Sequence, residues 1–526
     1  MSRAASQDSR VHQARWLILT IMCLSVLLVA IDNTIVNVAL PTISRDVTAS
    51  TSELQWIVDA YAMVFAGLLL VAGNLGDRFG RKRVLQVGLV LFAIASLVAT
   101  WSGSVGNLIA SRGAMGVAAA MVYPSTLATV PQVFRNRQER AVAIGVWAGV
   151  SGLAIALGPV VGGLLLEHFW WGSIFLVNVP IAAVALVAGA ILIPESKDPD
   201  PGRFDYVGAI SSSAGIGLLV WTIIEAPDNG WASATTLTGF GIAAILLVLF
   251  GFWETRCTDP LLEVRFFRNP RLSAAAATTG MAFFGLFGFI FMITLYFQLI
   301  LGWDALKAGL ATLPYALVMG AMSPIAMIFT NKIGTKIIVG GGMALSAAGF
   351  LLASWAEVDS PYWSFIVVCM VLMAAGMGLA TGPATDAVLA ALPKEKSGVG
   401  SAINDTTREV GGALGVAVVG SALNSVFGHH LAQQWTALNI PHEAIEQSKG
   451  SVAVALTVAG SQPDALAARA VAEVGNAFIE GLRLGCYIVA GAILLASLAA
   501  WLFLPARDTP ALPADPQTEP RSSEAP

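Results

Sequence analysis

Fourteen separate stretches of this chain are each roughly as long and as apolar as a helix must be to cross a bilayer, for which about 20 residues are needed. They run at about 17–40, 54–73, 84–101, 107–130, 141–166, 173–193, 207–224, 235–253, 273–301, 308–330, 337–356, 361–385, 398–427 and 484–504. So many apolar runs predict an all-α polytopic membrane protein. Only 12% of the residues are charged, against about one quarter in a water-soluble domain. Met1–Arg15 is polar and leads into the first run with no small-residue cleavage site, so that run is expected to be a retained span.

The basic residues test this count. With both termini on the cytoplasmic side, the inner segments hold 22 of the 29 Lys and Arg, and the outer loops hold five: Arg45, Lys307, Lys449, Arg469 and Arg483. The remaining two, Arg112 and Arg408, lie within spans. Basic residues concentrate on the cytoplasmic side of membrane proteins, so an even number of spans with both ends inside is expected. The four cysteines, Cys23, Cys257, Cys369 and Cys486, have neither metal spacing nor a paired framework, and His429, His430 and His442 show no metal spacing either. No phosphate-binding loop of the form G-x-x-x-x-G-K-[ST] occurs, and no nucleophile, base and metal constellation is visible. No enzyme activity, cofactor or nucleic-acid partner is expected; the energy source would be a proton gradient.

Between the second and third runs lies GNLGDRFGRKRVL, a turn holding Gly73, Gly76, Asp77, Arg78, Gly80, Arg81 and Lys82. Its glycines permit close approach and a sharp turn, and Asp77 sits among cations near the start of the next helix. It can serve as a latch between helix bundles, or simply set topology. The pattern G-x-L-x-D-R-x-G-R-K-x-x-L resembles the signature loop of the major facilitator superfamily. NKIGTKI at 331–337 is a degraded echo of DRFGRKR at 77–83, consistent with two related halves and a site between them.

Four acids lie deep in spans: Asp32, Asp59, Asp405 and Glu409. At about 1.5 Å per residue, Asp32, Asp59 and Arg112 reach similar depths in the outer part of the bilayer. If they face one cavity, the arginine can hold one acid ionised while desolvation favours the neutral form of another. That is the requirement for a group that trades a proton for a cation; a structural hydrogen bond to a neighbouring helix is the competing reading for Asp32. In the thirteenth run Asp405 and Glu409 share a helix face, with Arg408 beside them and able to pair with Asp405.

The stretch AIDNTIVNVALP at 30–41 resembles the first-helix motif of the 14-helix drug:proton antiporter family. Arg112 and Gly116 match its fourth-helix pattern R-x-x-x-G, whose arginine the family implicates in proton coupling. Ala114 and Met115 depart from it. Gly158, Pro159, Gly162 and Gly163 form G-P-x-x-G-G, similar to the family's fifth-helix antiporter signature, with Ala154 where the family form has glycine.

The resemblance implies the major facilitator fold, two six-helix bundles plus two extra central helices. It also implies a multi-pass proton-coupled multidrug exporter of a bacterial inner membrane, acting as a monomer on lipophilic, cationic small molecules by alternating access. The expected divisions are an N-terminal segment 1–15, a first bundle 16–193, a connector with two extra spans 194–256, a second bundle 257–506 with an outer loop 428–483, and a disordered tail 507–526. The extra spans are expected to be lipid-facing. The phenylalanines of the ninth run, Phe283, Phe284, Phe287, Phe289, Phe291 and Phe297, could form a lipophilic wall, though packing is the commoner role. Export of one endogenous metabolite or antibiotic, and a channel or sensor on the same fold, remain open alternatives.

Overall fold

The computed structural model describes residues 2–47, 49–197, 204–392 and 397–505. The expected tail 507–526 and part of the connector lie outside the described residues. Helices account for nearly all of the rest, with no strand among the described residues. That outcome follows from the solvent: in hydrocarbon every backbone group must be paired within the segment.

The helices are α1 (Ser2–Asp46), α2 (Thr51–Phe79), α3 (Arg81–Thr100), α4 (Val105–Val133) and α5 (Arg137–His168). They continue with α6 (Ser173–Leu192), α7 (Tyr206–Asn229), α8 (Ala234–Glu254), α9 (Pro270–Ile300) and α10 (Ala305–Thr330). The last four are α11 (Thr335–Ala353), α12 (Tyr362–Ala390), α13 (Ser397–Ala437) and α14 (Asp464–Phe503). Local chemistry sets their ends. Ser50 and Glu53 form a reciprocal capping box at α2, with Ser50 N donating to Glu53 Oε2 at 2.8 Å. Ser104, Asp205 and Ser233 cap α4, α7 and α8, and Pro270 opens α9 behind the Asn269 cap.

The helices form two matching halves. In the first, α1 packs on α4, α5 and α6, α4 on α2 and α3, and α3 on α6; in the second, α9 packs on α12, α13 and α14, α12 on α10 and α11, and α11 on α14. The two sets correspond helix for helix. The halves join along two equivalent seams, α2 with α13 and α10 with α5. The degraded repeat is a true structural one: Gly80 (φ 108°) and Gly334 (φ 96°) occupy the same turn, both in the left-handed region. After each glycine a backbone N–H reaches the end of the half's last helix, Arg81 N to Ser196 O at 2.9 Å and Lys336 N to Pro505 O at 3.2 Å.

Gly80 tolerates no side chain. A Cβ there would lie 2.5 Å from Glu195 Oε1, in addition to the positive φ. Gly80→Ala is expected to destabilise by about 1–3 kcal/mol, read as a lowered melting temperature of the purified protein, whereas Gly103→Ala, with open space around it, leaves it unchanged.

Two expectations change. The extra helices were expected to face lipid; α8 does, exposing Leu237, Ile242, Ile245, Val248 and Phe252, and α7 does only along part of its surface, at Val207, Ile210 and Trp221. Helix α7 also lies against one seam. Ser213 Oγ donates to Gly67 O (2.9 Å) and Trp56 Nε1 to Glu225 Oε1 (3.0 Å) on the α2 side, and Ser421 Oγ donates to Ile223 O (2.8 Å) on the α13 side. The expected loop 428–483 is also largely helical. Helix α13 continues to Ala437, short helices follow at His442–Ser448 and Val452–Gly460, and α14 begins at Asp464. Trp435, fully buried, donates its indole N–H to Ala470 O at 3.3 Å and ties this cap together.

We call the end of the bundle that carries the chain termini the terminal face and the opposite end the far face. The halves meet at the far face: Gln298 Nε2 donates to Val38 O (2.8 Å) and Thr51 N to Gly450 O (2.7 Å). The glycine-rich end of α5 seals the second seam. A Cβ on Gly163 would come within 2.6 Å of Leu306 Cα on α10, and Gly309 of α10 is pressed in turn against Pro159 O. Gly158 and Gly162 give the same closeness to Thr34 and Ile35 of α1. The motif is therefore a packing surface, as small residues are in membrane helices.

Candidate functional site

Within the first half, α1, α4 and α6 enclose a buried charged triad. Arg112 Nη1 donates to Asp32 Oδ2 at 2.5 Å, and Asn178 Nδ2 donates to Asp32 Oδ1 at 2.7 Å. The guanidinium also donates from Nε to Ile57 O at 3.0 Å and lies 4.3 Å from the Tyr61 ring centre. Asp32 and Arg112 are 0% exposed. Each therefore answers the other's charge in a site from which water is excluded, where a pair is held strongly and loss of one partner is severe.

Asp59 does not join them. Both its carboxylate oxygens are buried and lack a hydrogen-bond partner among the described residues. The reason is helical phase: Arg112 reaches Ile57 O, and two residues on, about 200° around the helix, Asp59 looks the other way. Gln55, one turn from Asp59 on the same face, is pressed against Gly420 of α13, and Ser52 faces Asn424 at 3.4 Å. Asp59 thus continues the α2 face that forms the seam. The expectation that Asp32, Asp59 and Arg112 share one cavity is corrected: the first and third are a sealed pair inside one half, and Asp59 is at the junction of the two.

The cavity between the halves is elsewhere and, in this conformation, small. Asn33, Thr34, Phe65 and Tyr123 line it from the first half, and Phe283, Phe287, Arg408 and Glu409 from the second. Glu409 carries no ion pair among the described residues, as its sequence context suggested. Arg408 Nη1 is 3.8 Å from Asp405 Oδ1, so the expected pair exists but is long. Its guanidinium lies 4.4 Å from the Phe283 ring centre, and Tyr123 of the first half lines the same cavity. The charged residues of the wall are one acid, Glu409, and one arginine, Arg408, so the wall is neutral overall rather than carrying the excess that counting all four deep acids gives. Phe283 and Phe287 are cavity wall; Phe291 and Phe297, fully buried, are packing.

The signature turn is held within the first half. Arg81 donates to Asp77 Oδ1 from Nη2 (2.7 Å) and Nε (2.9 Å) and from Nη1 to Ala128 O of α4 (3.0 Å). Lys82 Nζ donates to Ala190 O at 2.7 Å, and α2 lies over Pro124 and Ser125 at Gly73 and Gly76, where a Cβ would meet only ordinary contacts of 3.9 and 3.6 Å. In this conformation Asp77 binds its own half's arginine.

Three participants were not foreseen: Asn178, Tyr61 and Tyr123. Asn178 had a visible signal, an amide inside the apolar run IFLVNVPIA. Tyr61 and Tyr123 belong to a ring series, Tyr61–Phe65–Tyr123–Trp147, with centres 5.9, 5.8 and 5.0 Å apart. Spaced along three helices, α2, α4 and α5, it leads from the buried triad to the cavity.

Two pseudo-symmetric membrane-spanning halves around a shared charged cavity define a transporter fold, and comparison with known proteins bears this out. The family model described as Major Facilitator Superfamily matches residues 22–416, and the chain belongs to that superfamily. It is 34% identical to the multidrug efflux pump LfrA of Mycolicibacterium smegmatis, over 93% of this chain and 96% of that one. It is 34% identical to the tetracenomycin C resistance and export protein of Streptomyces glaucescens, over 93% and 91%. It is 33% identical to the methyl viologen resistance protein SmvA of Salmonella typhimurium, over 93% and 98%. Among solved structures, the fold matches a bacterial homologue of the lysosomal transporter Spinster with a TM-score of 0.66 and 16% identity, covering 94% and 99% of the two chains.

Proposed function

We propose that the protein exports lipophilic organic cations across the bacterial cytoplasmic membrane in exchange for protons, with both termini in the cytoplasm and the far face outside. The observation that carries this reading is Glu409: a carboxylate with no ion pair among the described residues, in a cavity shared by both halves and walled by Phe65, Phe283, Phe287 and Tyr123. Aromatic ring faces together with a carboxylate favour a lipophilic cation over an anion. Methyl viologen, named for one relative, is an aromatic organic cation. The cavity is complete within one chain, which supports a monomeric unit.

Alternating access then works as follows. Substrate and protons cannot both neutralise Glu409, so occupancy by one displaces the other. The triad of Asp32, Arg112 and Asn178 keeps α1, α4 and α6 moving as one body, while the seams at α2–α13 and α5–α10 open and close. Asp77, Arg78 and Arg81 in the turn after α2 serve as the latch when the terminal face closes. The energy source is the proton gradient, without a cofactor.

The test is ethidium efflux from energised cells, with and without a protonophore. Wild type is expected to drive concentrative efflux that the protonophore abolishes. Glu409→Gln at equal membrane abundance is expected to lose more than about nine-tenths of it, a barrier change of ~1.4 kcal/mol or more. Undiminished efflux by that variant removes Glu409 from the exchange, and a wild type that protects only against one narrow class of neutral compounds supports a dedicated metabolite exporter instead.

A further inference from the structure

The central cavity already contains a cation supplied by the protein. Arg408 has the planar charged group that binds aromatic faces best among side chains, and it lies over Phe283 at 4.4 Å. Two comparisons argue against a purely structural pairing. Arg112 meets its carboxylate at 2.5 Å with no exposure on either side, whereas Arg408 stops 3.8 Å from Asp405 and its side chain is 23% exposed. Nε of Arg408 is buried yet has no hydrogen-bond partner among the described residues. Tyr123, on the opposite half, lines the same cavity.

Resting on the export reading and going beyond it, we infer that Phe283, Tyr123 and Asp405 form the subsite for the charged planar end of an organic cation. In this conformation the Arg408 guanidinium occupies that subsite in the substrate's place. An entering cation takes the face of Phe283 beside Tyr123 and Asp405, and Arg408 swings toward Glu409, its neighbour on α13. Displacement removes Arg408 from its place between α13 and Tyr123 of α4. Substrate binding is thereby coupled to separation of the halves, and a neutral molecule, with no claim on the ring face, leaves Arg408 in place. Specificity for cations arises from this exchange.

Ethidium binding to the purified full-length protein, followed by fluorescence at fixed ionic strength, tests the inference. Wild-type binding is the test of the export reading, and its absence overturns that reading. Given wild-type binding, Arg408→Ala is expected to bind ethidium about tenfold more tightly, since the competitor is gone. Loss of a positive charge alone would also tighten binding, so a second readout separates the two. Tens of millimolar guanidinium chloride should compete with ethidium in Arg408→Ala and have no effect in wild type beyond that of equal potassium chloride. Phe283→Leu, which keeps Arg408 and removes the ring, should weaken ethidium binding at least fivefold and abolish the guanidinium effect when combined with Arg408→Ala. Equal guanidinium sensitivity in wild type and Arg408→Ala, or unchanged ethidium affinity in Phe283→Leu, overturns the inference even where ethidium is exported.

Discussion

Arg112→Met should leave a protein that melts far below wild type and does not transport. The substitution removes one member of a fully buried pair and leaves Asp32 with only Asn178 to answer it. Breaking a buried pair in this way costs about 3–5 kcal/mol, because the surviving charge is stranded without water. Asp32→Asn strands the guanidinium instead and should cost a similar amount. The double variant Asp32→Asn with Arg112→Met removes both charges and should recover most of the lost melting temperature, since a buried pair replaced as a whole is often close to neutral. Transport should stay absent if the pair also serves exchange. Thermal unfolding of the four proteins in one detergent, alongside ethidium efflux, makes a complete cycle. Additive losses in the double variant would mean that the two groups do not act as a pair.

The approximate number of spans, with twelve or thirteen candidates among the described residues, and the internal repeat were legible in the sequence because they depend on length and local pattern alone. Depth along a helix was legible as well, and it brought Asp32 and Arg112 together correctly. Rotation about the helix was not. Asp59 is at the right height but faces α13, and an all-apolar environment gives no periodicity from which to read phase, since lipid-facing and core-facing positions are both hydrophobic.

The same blindness hid α7, whose face toward α2 and α13 looks no different from its lipid face. Two of the ties that place it, Trp56–Glu225 at 3.0 Å and Ser52–Asp228 at 3.1 Å, lie just past the apolar run 207–224. The cap at 428–483 was misjudged for another reason: its helices are short and Ala-rich, and they are held by docking, as in the Thr51 N–Gly450 O bond, rather than by an apolar run of their own. The turn glycines, by contrast, were read correctly because Gly80 and Gly334 occupy a backbone conformation that other residues avoid.

Asp59→Asn is expected to uncouple the transporter while leaving it folded. In the conformation described, the far face is closed and the Asp59 carboxyl is buried with no hydrogen-bond partner among the described residues. Opening the far face parts the α2–α13 seam and lets water reach the carboxyl, where ionisation is favoured. Protonation therefore favours the closed seam and ionisation the open one, and the equilibrium shifts by the difference in proton affinity between the two states. Asparagine has the same shape and never ionises, so it should hold the far face closed. Ethidium binding from the terminal side should remain within about threefold of wild type, whereas efflux should fall by at least about tenfold. A cysteine introduced at Ser52, now 5% exposed beside Asn424, reports the seam directly. An impermeant maleimide added at the far face should label Ser52→Cys in an otherwise wild-type background and label it several times more slowly when Asp59→Asn is added. Cys23, Cys369 and Cys486 are buried and contribute no background at that face. Equal labelling with normal efflux would show that the seam opens without Asp59 ionising, and the proton would then have to be carried by Glu409 alone.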